Sequence, residues 1–198
     1  MIEQNVRMYY QRLFVDPLAA RLKNRIQPDT ITWLSGLLGV LVIPALLLNQ
    51  VILAIILLLL SGYLDTLDGT LARFIHRSTA WGSILDIMMD RLVEFSVVFA
   101  LWLIDPVHRA LACLLMLGSI LFCVTSFLVT GIFIANDSQK GFHYSPGIME
   151  RAEAFIFFII MMLWLKAFTF LAVLFSFLVT LTAIIRLYQF YQYTKKSQ

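Results

Sequence analysis

The chain has 198 residues, of which 61% are hydrophobic and only 14% are charged. Soluble domains have about 45–50% apolar and about 25% charged residues, so this composition excludes an ordinary soluble enzyme and a disordered protein. The net charge of +3 is typical of a membrane protein whose basic groups face anionic headgroups, and it does not indicate a nucleic-acid partner.

The first segment, residues 2–26, mixes apolar and basic positions. This pattern predicts an amphipathic helix that lies in the plane of the lipid headgroups, with its cations toward the phosphates. Asp16 and Pro17 form a signal for a break and a restart, because an aspartate can cap a helix whose first residue is proline. We therefore expect two helical pieces here, the second ending before Pro28.

Six hydrophobic runs follow, and they predict a bundle of six transmembrane helices over residues 30–190. The runs cover residues 31–48, 51–74, 82–104, 110–135, 150–165 and 167–190. Only Lys166 separates the last two runs, so one continuous tilted helix is an alternative there. The prediction is an all-α integral membrane protein with a single domain over residues 1–198, in which no separate soluble domain fits.

The basic residues predict the orientation in the membrane. Of the 15 lysines and arginines, all except Arg109 and Lys166 fall on one side of the predicted bundle. The positive-inside rule makes that side cytoplasmic, and it places both chain termini there. We expect such a protein in the inner membrane of a bacterium.

Four aspartates lie at the cytoplasmic ends of the second and third predicted spans. Asp65 and Asp68 are three residues apart, and Asp86 and Asp90 are four apart, so each pair lies on one helix face. The short connection makes the two helices antiparallel neighbours, so all four carboxylates can face one pocket that opens to the cytosol. A charged residue at a helix centre in the membrane costs roughly 2.5–3.5 kcal/mol, so these acids demand a cation.

The residues around these acids suggest which cation and which substrate. Carboxylates without histidine or cysteine select Mg²⁺, Mn²⁺ or Ca²⁺, and two divalent ions would neutralise four aspartates. Gly69, Ala72 and Gly82 permit close helix packing or leave room for a flat ligand. With Arg73 alongside, the site suits a diphosphate. Alternatives are a divalent-cation transporter that uses the same aspartates, and structural ion pairs with nearby arginines.

The segment from Asp65 to Asp90 matches D-x-x-D-G-x-x-A-R-x8-G-x-x-x-D-x-x-x-D at every defined position. In this motif the chain resembles the CDP-alcohol phosphatidyltransferases. The resemblance implies an enzyme of phospholipid biosynthesis that transfers a phosphatidyl group from a CDP-linked lipid, usually CDP-diacylglycerol, to the hydroxyl of a small polar alcohol and releases CMP. It also implies two Mg²⁺ or Mn²⁺ ions and a homodimer.

The same resemblance assigns roles to single residues. Asp65, Asp68 and Asp86 would hold metal, while Asp90 would share a metal and act as the general base. The residues lining the CDP site would be Asp65, Asp68, Gly69, Ala72, Arg73 and Gly82. An aspartate of ordinary pKa, about 3.9, is a weak base, but it is ionised at pH 7 and can be positioned to act.

One departure from the family pattern precedes the first span. Members often carry Pro-Asn there, whereas this chain has Pro28-Asp29. Asp29 is expected either to cap the first span or to touch the nucleotide or a metal-bound water. Thr32 is a further candidate contact to the nucleotide.

The candidate contacts to the acceptor alcohol are Lys140, Arg151 and Arg186. Lys140 lies in a polar loop, where simple solvation is the alternative. Arg186 lies inside the last apolar run, so we expect it to bind a ligand phosphate or to pair with Glu150 or Glu153. Two inward-facing arginines would match the dianion of glycerol 3-phosphate or inositol phosphate, which are the favoured acceptors.

Overall fold

The computed structural model describes residues 10–23, 25–75, 79–133 and 148–196. These residues form helices and turns without any β-strand, which confirms the all-α prediction. The chain divides into two compact units, Met1–Ala100 and Leu101–Gln198.

In the described part of the first unit, a π-helical turn, Gln11–Val15, continues directly into helix α1, Asp16–Leu22. Asp16 has helical backbone angles, and the residue at the N-cap position is Val15, which makes no side-chain capping bond. The two predicted helical pieces are therefore present with their boundary at Asp16, but the chain stays helical across it, and Asp16 is not the cap. Pro17 lacks an N–H and its ring crowds the carbonyl four residues earlier, and a wide π turn can relieve that crowding without ending the helix.

One face of this N-terminal segment is buried within the first unit. The buried cluster consists of Val15, Ala19, Ile31, Leu67 and Leu71. The hydroxyl of Tyr63 donates a hydrogen bond to the carbonyl of Phe14 at 2.9 Å. On the other face, Leu13 and the Phe14 ring are mostly exposed. This distribution agrees with an interfacial helix, although its place in the headgroup region stays a prediction.

Four further helices begin among the described residues of the first unit. They are α2 (Pro28–Val40), α3 (Val42–Leu47), α4 (Val51–Phe74) and α5 (Ala80–Ile104), the last of which continues into the second unit. Asn49 turns the chain between α3 and α4 with a φ of 58°. Asparagine is one of the few residues that tolerate this left-handed conformation, so the predicted break at Asn49-Gln50 has a local cause.

Small residues bring α2 close to its neighbours. An added Cβ at Gly36 would overlap the Met89 side chain, and one at Gly39 would overlap Val93. On the side toward α4, the Ser35 hydroxyl donates to the carbonyl of Ser61 at 2.8 Å. These contacts set the spacing of the helices that carry the acids, because protein interiors pack with few voids.

The second unit contains α6 (Pro106–Phe133), α7 (Arg151–Leu163) and α8 (Phe168–Lys196). The helix breaks at Trp164, which has φ −119° and ψ 70°, and Leu165–Ala167 form a single 3₁₀ turn before α8. The last two predicted runs are therefore two helices, and the alternative of one tilted helix does not hold.

Arg109 is buried within this second unit. Its Nη1 donates to the carbonyl of Leu101 at 3.0 Å, and its guanidinium carbon lies 4.4 Å from the centre of the Phe168 ring. Leu101 lies in the last turn of α5, where carbonyls lack partners within the helix. Arg109 thus supplies a missing donor and a positive charge at a helix C-terminus.

The helices make this chain an integral membrane protein. Within the described residues, four helical stretches are long and apolar enough to cross a bilayer: Pro28–Leu47, Val51–Phe74, Pro106–Phe133 and Leu165–Lys195. Helix α5 has 25 residues but carries several charges, and α7 has 13 residues, about 20 Å at 1.5 Å each, against a hydrocarbon core of about 30 Å. The count of six spans therefore stays a prediction.

Candidate active site

The structure brings three of the four aspartates together. Asp65 and Asp68 lie near the end of α4, and Asp86 lies in the second turn of α5. One carboxylate oxygen from each residue lies within 4.8 Å of the other two. Asp68 is buried, whereas Asp65 and Asp86 are half-buried. The i,i+3 spacing on α4 and the short connection to α5 account for this convergence.

The chemistry of this cluster fits a divalent cation. The three groups supply hard oxygen ligands and three formal negative charges in a small volume. The Oδ2 atom of Asp68 is buried and has no hydrogen-bond partner among the residues that the structure describes. Since a buried polar atom without a partner is costly, a bound cation would compensate it.

Asp90 is placed differently from the other three acids. It lies four residues beyond Asp86 on α5, which is about 6 Å further along the helix axis at 1.5 Å per residue. It is not a member of the three-carboxylate cluster. Its Oδ2 lies 3.7 Å from Nη2 of Arg91. The expected convergence is therefore found for three of the four carboxylates, and the pocket that they were expected to share stays a prediction.

The region beside the acids has room near Gly69. An added Cβ at Gly69 would meet only the Nη1 atom of Arg73, at 3.6 Å. Arg73 is exposed, and its Nη2 donates to the hydroxyl of Thr70 at 2.9 Å. Ala72 is half-buried on the same helix. Two expectations were stated for the small residues of the motif. The open space at Gly69 fits room for a ligand, whereas close helix packing occurs at Gly36 and Gly39, outside the motif.

Asp29 lies beside Gly82. A Cβ added at Gly82 would lie 3.4 Å from Oδ1 of Asp29, and the amide of Gly82 donates to the hydroxyl of Thr79 at 2.9 Å. Helix α2 begins at Pro28 with Gln27 at the N-cap position, so Asp29 is not the cap. An acidic residue in the first turn still complements the helix dipole.

A pocket of about 470 Å³ opens next to Asp29. Its lining residues are Lys23, Arg25, Ile26, Gln27, Pro28, Asp29, Ile75 and Thr79. Most of these residues lie outside the signature motif, so the motif could not have indicated them. Thr32 lies one turn further along α2, where its hydroxyl donates to the carbonyl of Pro28 at 3.2 Å and interacts with the side chain of Asp68.

The candidate acceptor residues have separate surroundings. Lys140 lies outside the described residues. Arg151 begins α7, and its guanidinium carbon lies 5.3 Å from the centre of the Phe155 ring. Arg186 donates from Nη1 to the carbonyl of Cys123 at 3.3 Å and lies over the Phe127 ring.

The two glutamates considered as partners of Arg186 have another role. Glu150 and Glu153 form a reciprocal capping box at the start of α7, in which the amide of Glu150 donates to Glu153 Oε2 at 3.3 Å. The polar contact of Arg186 is made with a main-chain carbonyl of α6 instead. The glutamates serve the orphan amides of a helix N-terminus, which the Glu-x-x-Glu spacing could have indicated.

A sequence model of a known family, described as CDP-alcohol phosphatidyltransferase, matches residues 25–187. The chain belongs to this family. The matched range includes the signature motif, residues 65–90, and the start of α2 with Asp29 and Thr32. Family membership makes the chain a transferase of phospholipid biosynthesis and favours that activity over the cation transporter.

Named relatives share most of the chain. The Escherichia coli (strain K12) inner membrane protein YnjF is 32% identical over 183 residues, which cover 89% of this chain and 88% of that protein. The phosphatidylinositol phosphate synthase of Streptomyces avermitilis is 27% identical over 79% of this chain, and the match spans 64% of that protein, less than two thirds. The archaetidylinositol phosphate synthase of Methanothermobacter thermautotrophicus is 30% identical over 73% of this chain and 69% of its own length.

Two solved structures share the fold. Both are of the Mycobacterium tuberculosis phosphatidylinositol phosphate synthase, one with manganese and citrate and one with CDP-DAG. The first has a TM-score of 0.73 and 20% identity, and it covers 90% of this chain and 89% of its own. The second has a TM-score of 0.72 and 21% identity, with coverage of 90% and 94%. At this level of identity the likeness establishes the fold.

Proposed function

We propose that this enzyme transfers the phosphatidyl group of CDP-diacylglycerol to a phosphorylated polyol of the inositol phosphate type and releases CMP. The carboxylate cluster of Asp65, Asp68 and Asp86 carries the proposal, because it offers hard ligands beside open space at Gly69. The named synthases among the relatives support the inositol phosphate acceptor over glycerol 3-phosphate, the other acceptor that the sequence favours.

The proposed cofactor is Mg²⁺ or Mn²⁺, with two ions per site. Asp65, Asp68 and Asp86 would hold the metal, and Asp90 would share in it. When bound, such ions polarise the diphosphate and stabilise the negative charge that develops on the leaving CMP. The manganese in the similar M. tuberculosis structure supports this choice.

The proposed reaction is a displacement at phosphorus. The acceptor hydroxyl loses its proton to the carboxylate of Asp90, and its oxygen forms a bond to the phosphorus that carries the diacylglycerol. The bond from that phosphorus to the oxygen of CMP breaks, and CMP leaves with the electron pair. Positioning supplies much of the rate, because an aspartate of ordinary pKa is a weak base.

The nucleotide of the donor is proposed to bind between the starts of α2 and α5 and the end of α4. Gly69, Ala72, Arg73 and Gly82 are the proposed contacts to the CDP group, together with the acids. Asp29 and Thr32 join them because Asp29 lines the 470 Å³ pocket beside Gly82 and Thr32 interacts with Asp68. A pocket of this size holds a nucleoside, since ligand pockets commonly measure about 300–1,000 Å³.

The phosphate of the acceptor is proposed to bind Arg186, with Arg151 and Lys140 as further contacts. The Nε atom of Arg186 is buried and lacks a hydrogen-bond partner within the described part of the chain. An arginine with an unused donor in an apolar helix suits an anionic ligand, because guanidinium binds phosphate in a fixed fork geometry.

The orientation in the membrane, the cellular membrane and the oligomeric state are also proposals. The excess of basic residues supports a cytoplasmic active site and cytoplasmic termini, and the E. coli relative supports the inner membrane of a bacterium. We propose a homodimer as the assembled form, on family resemblance alone.

The test is release of CMP by the purified protein in detergent from CDP-diacylglycerol, with Mg²⁺ or Mn²⁺ and a panel of acceptors. The panel contains inositol phosphate, glycerol 3-phosphate, inositol, serine, choline and ethanolamine. We expect metal-dependent release with inositol phosphate. CMP release with glycerol 3-phosphate alone would contradict the proposed inositol phosphate acceptor. Thermal stabilisation of the protein by metal without any response to CDP-diacylglycerol would favour the cation transporter.

A single substitution tests the proposed role of Asp90 as the general base. Asp90→Asn is expected to abolish turnover while it retains binding of CDP-diacylglycerol, because the amide cannot accept the proton. The matched control is Asp105→Asn, which removes an exposed carboxylate in the connection between α5 and α6. Wild-type turnover in Asp90→Asn would remove Asp90 from the role of base.

A further inference from the structure

Arg91 lies between two carboxylates on α5. Its Nη1 is 2.6 Å from Oε2 of Glu94, and its Nη2 is 3.7 Å from Oδ2 of Asp90. Glu94 is buried, with 8% of its surface exposed, and it lies outside the signature motif. Asp90 and Glu94 are four residues apart, so they lie on the same face of the helix.

The two distances show which carboxylate holds the guanidinium. A separation of 2.6 Å is a short, charge-assisted hydrogen bond, whereas 3.7 Å is an ion pair beyond hydrogen-bond range. Arginine stays charged in proteins, so its guanidinium always requires a partner in apolar surroundings. Glu94 is thus the principal partner of Arg91, and Asp90 is the weaker one.

We infer that Glu94 is a positioning residue. It binds the guanidinium of Arg91 and so weakens the ion pair between Arg91 and the carboxylate of Asp90. This inference rests on the proposed role of Asp90. A carboxylate in a full bidentate pair with arginine has its lone pairs occupied and its charge neutralised, so it is a poor proton acceptor and a poor metal ligand. Glu94 competes for the arginine and keeps Asp90 able to act.

Removal of the charge on Glu94 should slow turnover. In Glu94→Gln the guanidinium of Arg91 turns toward Asp90, the other carboxylate that it already approaches. We expect kcat to fall about 10–100-fold, because a misplacement of about 1 Å in a reacting group can cost about 100-fold. The KM for CDP-diacylglycerol should stay within about twofold, because Glu94 does not line the nucleotide pocket.

The decisive variant is the double substitution Arg91→Met with Glu94→Gln. If Glu94 acts through Arg91, removal of the arginine cancels the damage, and kcat should return to within about fivefold of wild type. A merely structural role would make the two losses add instead. The control is Ser96→Ala, which removes another buried polar group of α5, one whose hydroxyl donates to the carbonyl of Leu92, and should leave kcat unchanged.

A second measurement separates this inference from the proposed function. Binding of Mn²⁺ alone is monitored by thermal stabilisation of each variant in detergent. We expect Glu94→Gln to weaken Mn²⁺ binding several-fold and the double variant to restore it, because Arg91 then no longer neutralises Asp90. If the wild type releases no CMP, the proposed function fails, and the Mn²⁺ titrations still decide the role of Glu94.

Three results would overturn the inference. They are a wild-type kcat in Glu94→Gln, a double variant as slow as that single variant, and the same Mn²⁺ affinity in wild type, Glu94→Gln and the double variant. If Glu94→Gln does not fold, Glu94→Asp tests the same step. Its carboxylate is one methylene shorter and therefore holds Nη1 of Arg91 less closely, so a smaller loss with the same rescue by Arg91→Met is expected.

Discussion

Replacement of Gly39 by alanine tests the packing that places α5 against α2. An alanine Cβ would overlap Cγ2 of Val93 and lie 3.0 Å from two further atoms of the same side chain. Val93 is 1% exposed and β-branched, and such a residue has one strongly preferred rotamer in a helix, so it cannot turn away. Overpacking costs about 1–3 kcal/mol, and the better helix propensity of alanine returns at most about 1 kcal/mol.

Because Val93 is rigid, we take the upper end of the overpacking cost, about 3 kcal/mol, less the roughly 1 kcal/mol of helix propensity, and expect Gly39→Ala to lower the free energy of unfolding by about 2 kcal/mol. The assay is unfolding in mixed detergent and SDS micelles, monitored by circular dichroism. Gly36→Ala should cost less, because the overlap there is with the flexible thioether of Met89. Gly118→Ala, with nothing within 4 Å of the added Cβ, should be neutral or stabilising. Equal stabilities of Gly39→Ala and Gly118→Ala would refute the reasoning.

Three further predictions concern the acid cluster and the second unit. Asp68→Ala should weaken Mn²⁺ and CDP-diacylglycerol binding together, and unchanged thermal stabilisation by Mn²⁺ would contradict its role as a ligand. Arg109→Leu removes the donor to a helix-end carbonyl and the cation over Phe168, so the free energy of unfolding should fall by about 2–3 kcal/mol. The hydrogen bond from His108 lowers the pKa of Asp105 from its ordinary 3.8, so its stabilising effect is present above that pH and lost on acidification below it. As the pH falls from about 5 to about 3, the melting temperature of wild type should therefore decrease more than that of Asp105→Asn.

Some local features of the chain are predicted correctly because their causes lie within a few residues, although the capping roles expected of Asp16 and Asp29 are not found. The third apolar run was expected to end at residue 104, and α5 ends at Ile104, just before Asp105-Pro106. Proline cannot continue a helix from the residues before it, so the stop needs no tertiary contact. The same holds for the turn at Asn49.

Several contacts between distant residues were not predicted. The close contacts of α2 fall at Gly36 and Gly39, although the small residues singled out in the sequence were those of the motif. Arg186 bonds to the carbonyl of Cys123, which lies 63 residues earlier. A composition pattern shows that a cation needs a partner, but it does not show which helix will lie beside it.

The four aspartates of the motif show most clearly which features the sequence determines and which depend on tertiary packing. The spacing of Asp65, Asp68, Asp86 and Asp90 by itself determined that two pairs of carboxylates share helix faces, because helical geometry is local, and on that basis it predicted a cation site. Only the tertiary structure decided that three of them converge within 4.8 Å while Asp90 lies beside Arg91. The distance between two helices and the rotation of each about its axis depend on side-chain packing, and no residue spacing encodes them.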